Sequence, residues 1–218
     1  MASESPKNYP VPSIRRLPVY LALLRRLRDS GVEAVSSTRI AQELGLTGIQ
    51  VRKDLSMTQI VGRPKVGHAI RELIDHIERF LGWDKPRQAF LVGAGHLGTA
   101  LLGYRGFQQE KLDISAVFDN SPQKIGTTVF DKEILPISEF HQLVLLRQVY
   151  LAILTVPAAV AQKTTDMMVE AGIVGIWNFA PIQLNVPPEV IVEDVSLSSS
   201  LAVLTQRLSV SRGEDDRK

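Results

Sequence analysis

From Ile14 to Arg28 the apolar residues Leu17, Leu21, Leu24 and Leu27 recur at helical spacing, with Arg15, Arg16, Arg25, Arg26 and Arg28 around them. That period predicts an amphipathic helix, which Gly31 ends. Two shorter helical stretches follow in Val35–Ser56. Ser36 or Ser37 can cap the first, whose buried side would carry Ile40, Ala41 and Leu44, and Gly45 breaks it. Thr47 and Gln50 then form a T-x-x-Q capping box that opens the second. There Val51 and Leu55 face inward, while Gln50, Arg52 and Lys53 are free to face out. One more amphipathic helix is expected over His68–Leu81, with Ile70, Leu73, Ile74, Ile77 and Leu81 on one face.

Beyond a hinge at Gly82–Gln88 the pattern changes to alternating strand and helix. Strands are predicted near Gln88–Val92, Ile114–Phe118, Val149–Thr155 and Ile173–Trp177. Helices are predicted near Leu97–Tyr104, Ser138–Leu146 and Ala158–Glu170. This order implies an α/β fold, a parallel sheet with helices on its faces. A last helix, over Ser196–Val210, carries Leu197, Leu201, Leu204 and Leu208 as a stripe that a monomer would leave in water. Three regions result: a helical domain over 1–82, a sheet domain over 83–195, and a helix with its tail over 196–218.

Charge separates the first region from the rest. Between Lys7 and Lys65 there are 11 Lys and Arg against 4 Asp and Glu, a local +7, and the remainder carries 14 against 19, a local −5, for a net +2. A solvated basic face would account for the charge alone, but the helical pattern points to a polyanion. Two short helices joined at a glycine, the second carrying Gln50, Arg52 and Lys53, make a helix-turn-helix. Arg can pair with guanine edges, Gln with adenine, and Lys with phosphate. The glycines and Pro64 in Val61–Gly67 make a tight turn presenting Arg63 and Lys65, as the wing of a winged helix does. Arg15, Ser37 and Thr47 complete the candidate DNA contacts.

The second candidate site lies in FLVGAGHLGTALL, Phe90 to Leu102. Three glycines at G-x-G-x-x-G spacing alone are weak, but here an apolar strand runs into them and a helix follows. Gly93 would permit the tight turn, Gly95 the close approach of a pyrophosphate, and Gly98 the helix–strand packing. Ala94, His96 and Leu97 share this loop, and helix N-terminal amides stabilise phosphates. Asp119 ends the next strand 21 residues after Gly98. Its carboxylate can accept hydrogen bonds from an adenosine ribose and repels a 2′-phosphate, which favours NAD over NADP. Asn120 adjoins it, and Lys124 could soften the preference. Thr155, Val156, Pro157, Asn178 and Phe179 fall at later strand ends, where ligands lie in open α/β sheets.

Composition closes off other classes. The 218 residues include no cysteine, which excludes disulfides, thiolate metal sites and a cysteine nucleophile. His68, His76, His96 and His141 have no ligand spacing, and no metal is expected. The start has no apolar segment of a signal peptide, and no apolar run approaches the roughly 18 residues of a membrane span. A cytoplasmic protein is expected. A nicotinamide-dependent oxidoreductase with an incidental basic domain is the alternative, but it would need a substrate pocket and a proton relay. The short helix after Val195 leaves no room for a catalytic domain, so no enzyme is expected.

Over nearly its whole length the chain resembles the redox-sensing transcriptional repressors of the Rex family. The resemblance runs through RRLPVYLALL, SSTRIAQELGLTGIQVRKDLS, GRPKVG, LVGAGHLGTAL, FDNSPQKIG, TVPAAVAQ and AGIVGIWNFAPIQLNVPPEVIVEDVSL. It implies a homodimer whose winged helices bind a palindromic operator, a Rossmann domain that takes NADH and NAD⁺, and release of DNA when NADH binds. It also implies that the last helix is exchanged between subunits. Two departures stand out. The family's R-K-D-L-S-Y-F-G reads RKDLSMTQ here, with Met57, Thr58 and Gln59 in place of the aromatic pair and glycine. Its V-D-L reads VSL, with Ser196 at the acidic position. In relatives that acid is a switch residue, exchanging partners with a Tyr like Tyr104 and an Arg like Arg16.

Overall fold

The computed structural model describes residues 9–63 and 66–212. The chain divides into two compact units, Met1–Pro86 and Arg87–Lys218.

The first unit is built on α1 (Val11–Asp29), α2 (Ser37–Leu44), α3 (Gly48–Ser56) and α4 (Ile70–Leu81). Helix α1 begins three residues before the expected Ile14. Pro10 is its N-cap and Pro12 lies in its first turn, where a missing N–H costs nothing. Leu17, Leu21, Leu24 and Leu27 are buried with Tyr20 and Leu23, packed against Ile40, Val51, Leu55, Leu73 and Ile77. Of the two candidate caps for α2, Ser36 is the one used, accepting the Arg39 N–H at 3.1 Å, and Gly45 closes the helix at φ +65°. Thr47 caps α3 by accepting the Gln50 N–H at 3.2 Å.

The helix expected from His68 starts only at Ile70. His68–Ala69 forms strand β2, antiparallel to β1 (Ala34–Val35), with Ala34 opposite Ala69 and Val35 opposite His68. The apolar period of α4 ran on into a pairing that sequence could not show, because the partner lies some 34 residues earlier. The segment before β2 turns back on itself: Arg63 and Gly67 exchange hydrogen bonds of 2.7 and 2.9 Å. This is a winged helix. Pro64 and Lys65, including the candidate DNA contact at Lys65, lie outside the described residues.

The second unit holds a seven-stranded sheet ordered β5-β6-β4-β3-β7-β8-β9. Its strands are β3 (Arg87–Val92), β4 (Leu112–Asp119), β5 (Thr128–Val129), β6 (Lys132–Pro136), β7 (Leu151–Leu154), β8 (Gly175–Asn178) and β9 (Ile191–Asp194). All neighbours are parallel except β5 and β6, which form a hairpin. Helices α5 (His96–Leu102), α6 (Gly106–Gln109), α7 (Phe140–Arg147) and α8 (Ala158–Glu170) connect the strands, and α9 (Leu197–Ser211) follows β9. The expected helix from Ser138 is a short 3₁₀ turn, Ile137–Glu139, leading into α7.

Both faces of the sheet are covered. Phe90, Phe118 and Phe140 meet on one face with ring centroids 5.0–5.7 Å apart, beside Met168 and Ala161 of α8. Leu91, Val117, Ile153 and Phe107 fill the other. The hairpin was not expected, because its turn residues are Phe130 and Asp131, both at positive φ (+46° and +63°), where an Asn-Gly pair would have announced it. Strand β9 was missed as a short edge strand with two acidic residues.

Two candidate sites, one in each unit

In the first unit, α3 presents two faces. Val51, Asp54 and Leu55 are buried, whereas Arg52 and Lys53 are exposed and Gln50 is half-buried. Asp54 is the part that sequence reading missed. Its carboxylate, 1 % exposed, accepts from Arg16 Nε at 2.7 Å, Arg16 Nη2 at 2.8 Å and Tyr20 Oη at 2.6 Å. Burial by itself would raise its pKa. The hydrogen bonds from Arg16, Tyr20 and Ser13, with the guanidinium charge, outweigh that and hold the carboxyl below its ordinary value. Tyr20 is pushed up by burial and by the adjacent Asp54, and so stays protonated as a donor. This network fixes α3 on α1, and with it the direction in which Arg52 and Lys53 point. The D of RKDLS, a charge amid the inward positions of a helix, was the available signal.

The other candidate contacts are distributed around α3. Arg15 is exposed on α1, Ser37 is half-buried in the first turn of α2, and Thr47 caps α3. Arg63 on the wing is exposed and lies 3.7 Å from Glu72, an ion pair in water that contributes little.

In the second unit, the parallel strands β3, β4 and β7 end side by side, and the order in which successive strands are added across the sheet reverses at β3. A crevice is expected there, and a cleft of about 760 Å³ occupies it. Gly93, Gly95, Leu97, Asp119, Asn120, Lys124, Thr155, Val156, Pro157 and Phe179 all line it. Gly93 adopts φ +106°, a conformation that favours glycine. A Cβ on Gly98 would collide with the Gly93 carbonyl oxygen, so Gly98 sets the packing of α5 on the turn. A Cβ on Gly95 would meet nothing within 4 Å, leaving the main chain open to a phosphate.

Asp119 is 8 % exposed and accepts from the Ala94 N–H at 2.8 Å, the Ser121 N–H at 2.8 Å and Lys124 Nζ at 3.0 Å. Burial opposes its ionisation, but the bonds from Ser121, Lys124 and Ala94 prevail and depress its pKa. Lys124 is thus the counterion of Asp119. The Thr155 hydroxyl donates to the Gly93 carbonyl at 2.7 Å and braces the glycine turn.

Four candidates do not line the cleft. Ala94 is buried beneath the loop, His96 points to solvent, and Gly98 is packed inside α5. Asn178 is 1 % exposed, and its side chain is consumed elsewhere. It donates to the Ile182 carbonyl at 3.0 Å and to Asp194 Oδ1 at 2.7 Å, and accepts the Ala180 N–H at 2.9 Å. It clasps β8, β9 and the loop between them. Conversely, Val160, Lys163, Thr164 and Met167 line the cleft from α8 and were not expected. Their spacing is that of one helix face, which a helix predicted to begin beside Pro157 could have suggested.

The switch candidates have local partners of their own. Arg16 is held by Asp54. Tyr104 is exposed and meets Phe107 edge-on, with ring centroids 4.9 Å apart. Ser196 caps α9, accepting the Ser199 N–H at 3.1 Å.

A winged helix with an outward basic face and a glycine-turn cleft at a sheet's switch point define a two-unit, nucleotide-responsive DNA-binding protein. Family models match both parts: one described as a putative DNA-binding protein N-terminus over residues 8–56, and one described as a CoA binding domain over 84–182. The redox-sensing transcriptional repressor Rex of Treponema denticola is 48 % identical over 193 residues, 88 % of this chain and 92 % of that protein. The Rex of Carboxydothermus hydrogenoformans is 44 % identical over 201 residues, 91 % and 97 % of the two chains. The structure of RSP in complex with β-NAD⁺ and operator DNA superimposes with a TM-score of 0.89 at 33 % identity, covering 96 % of each chain. That of RSP with β-NADH gives 0.85 at 33 % identity, covering 96 % of this chain and 99 % of the other. The chain belongs to the Rex family of redox-sensing transcriptional repressors.

Proposed function

We propose that this chain represses transcription by binding an operator through α3 and the wing, and that NADH and NAD⁺ in the cleft of the second unit set its affinity for DNA. The observation that carries this reading is the cleft itself. Gly95 leaves the main chain open to a phosphate, and Asp119 stands at the end of β4 where an adenosine ribose is gripped. Gly93, Leu97, Asn120, Lys124, Thr155, Val156, Pro157 and Phe179 complete the nucleotide site. Arg15, Ser37, Thr47, Gln50, Arg52, Lys53, Arg63 and Lys65 are the DNA-contacting set. The working unit is a homodimer, because a palindromic operator needs two winged helices and because Leu197, Leu201, Leu204 and Leu208 of α9 are 50–71 % exposed. No helix among the described residues is long and apolar enough to cross a membrane. A repressor that meets operator DNA and the NADH pool works in the cytoplasm.

Nucleotide titration of the protein–operator complex tests this. NADH should release the duplex without being consumed, and NAD⁺ should not. Release by neither nucleotide, or oxidation of NADH during the titration, would refute the reading.

A further inference from the structure

Among its described residues the first unit leaves five large apolar side chains in water, and they are not scattered evenly. Val11 and Val19 on α1 are about half-exposed, whereas Ile49 is 72 % exposed, Val61 88 % and Val66 58 %. Ile49 lies in the first turn of α3, and Val61 and Val66 lie on the wing. The three most exposed apolar groups among the described residues of this unit therefore occupy the two elements that a winged helix presents to a groove. Single exposed apolar residues on a surface need no explanation. Concentration on these two elements does.

The pose of Ile49 is fixed by the opposite side of α3. Val51, Asp54 and Leu55 face inward, and Asp54 is tied to Arg16 and Tyr20 by three bonds of 2.6–2.8 Å. Ile49, Arg52, Lys53 and Ser56 then form one exposed stripe at i, i+3, i+4 and i+7. Ile49 stands among cations and a hydroxyl, which does not make the contiguous apolar patch a protein partner would need. Residues in the first turn of a recognition helix are those that reach base edges, and the apolar feature of the major groove is the thymine C5-methyl group.

We propose that Ile49 is a specificity-determining residue that reads a thymine in each operator half-site by packing against its methyl group. This rests on the proposed placement of α3 in the major groove. It adds a base-reading contact to Gln50 and Arg52, which could read adenine and guanine but not thymine by its methyl.

The test removes the methyl from either side. The operator is first defined by selection from random duplexes with the full-length protein. Each thymine of a half-site is then replaced by deoxyuridine, which keeps the hydrogen-bonding edge and loses only the methyl. With the same thymine replaced in both half-sites, the wild-type protein should lose roughly three- to fourfold in affinity per half-site, on the order of tenfold in all, the effect of leaving about one methyl group unburied in each. Ile49→Ala should lose a similar factor on the natural operator and nothing more on that deoxyuridine duplex, and Ile49→Val should fall between. Affinity for unrelated duplexes should be the same for all three proteins, showing that they fold alike. Arg52→Ala and Lys53→Ala serve as the reference. If these weaken operator binding while the Ile49→Ala and deoxyuridine losses multiply independently at every thymine, the methyl contact is overturned and the placement of α3 stands. Wild-type operator affinity from Ile49→Ala overturns it equally. If Arg52→Ala and Lys53→Ala also bind normally, the placement of α3 fails and the methyl contact with it.

Discussion

Among the described residues each unit buries one aspartate, and the two are held in different ways. Asp54 is enclosed by side chains: Nε and Nη2 of Arg16 and the Tyr20 hydroxyl donate to it, and α1 seals it at 1 % exposure. Asp119 is held by two main-chain N–H groups and one half-exposed lysine, at the rim of an open cleft. A carboxylate on one helix, closed in by side chains of another, fixes the relation of the two. A carboxylate held from one side, with its other side at a cleft, remains able to accept hydrogen bonds from a ligand. Burial and depressed pKa are common to both and do not tell the two roles apart. What tells them apart is which donors satisfy them and whether space remains.

The largest effect should come from breaking the closed pair. Arg16→Ala leaves Asp54 buried without its cation and should cost about 3 kcal/mol of stability, read from urea unfolding of the full chain. A loss below about 1 kcal/mol would mean that water replaces the guanidinium and that the network is not closed. The same contrast predicts a response to acid. Both carboxyls have depressed pKa values when folded, so each contributes stability that is present above the ordinary carboxylate range, near 4. That contribution is lost as pH falls through the depressed value. Asp54→Asn should flatten the acid limb of the first unit's unfolding, followed by chemical shifts of its core. Asp119→Asn should leave that limb as it is.

The open carboxylate should instead govern which nucleotide is bound. NADH should bind better than NADPH, because Asp119 opposes a 2′-phosphate, and Asp119→Ala should narrow the gap by roughly tenfold, about 1.4 kcal/mol. Lys124 complicates this in a useful way. Its ammonium is 3.0 Å from Asp119 and offsets part of the charge, so Lys124→Met should widen the gap. Equal binding of both nucleotides by the wild-type chain in calorimetry would remove the ribose from Asp119.

Much of this architecture could be read from sequence, and the failures have physical causes. The helices of the first unit were visible because one face of each is apolar at a 3.6-residue period. The wing strands were not, because two residues on each side carry no period and their pairing joins distant segments. The cleft's near wall was legible in the glycine spacing and in Asp119, since main-chain geometry demands those residue types. Its far wall on α8 was not, because Val160, Lys163, Thr164 and Met167 carry no chemistry that announces a ligand. Asn178 was expected in the cleft because it ends a strand there, but a strand end does not specify which way a side chain turns. It turned inward, to Asp194 and the Ile182 carbonyl.

A smaller effect is expected where this chain departs from its family at the end of α3. Gln59 adopts φ +60° at the position where the family commonly has glycine. The turn is left-handed here and carries a residue with a Cβ. Gln59→Gly should therefore raise stability by up to about 1 kcal/mol, since relief of the left-handed penalty exceeds the added freedom of glycine in the unfolded chain. No gain in unfolding midpoint would show that Gln59 has compensating contacts.

The smallest effect concerns the second departure. The family resemblance implies an acidic switch residue where this chain has Ser196, one that in relatives exchanges partners with a Tyr like Tyr104 and an Arg like Arg16. Here Ser196 caps α9, and Ser and Asp are about equally good N-caps, so Ser196→Asp adds a charge while leaving the helix start intact. That makes the substitution a clean test of the charge. Arg16 already makes bonds of 2.7 and 2.8 Å to Asp54, so a new carboxylate must compete with a buried acid that holds the guanidinium at both ends. A ligand moves an equilibrium only by its difference in affinity for the two states, typically 1–3 kcal/mol in total. Ser196→Asp should therefore raise the ratio of operator affinities, without and with saturating NADH, by less than about fivefold, or roughly 1 kcal/mol. A large increase would mean that Arg16 leaves Asp54 in one of the two states. An unchanged ratio would mean that it stays with Asp54 in both, and that NADH acts on DNA binding in this chain without an acid at position 196.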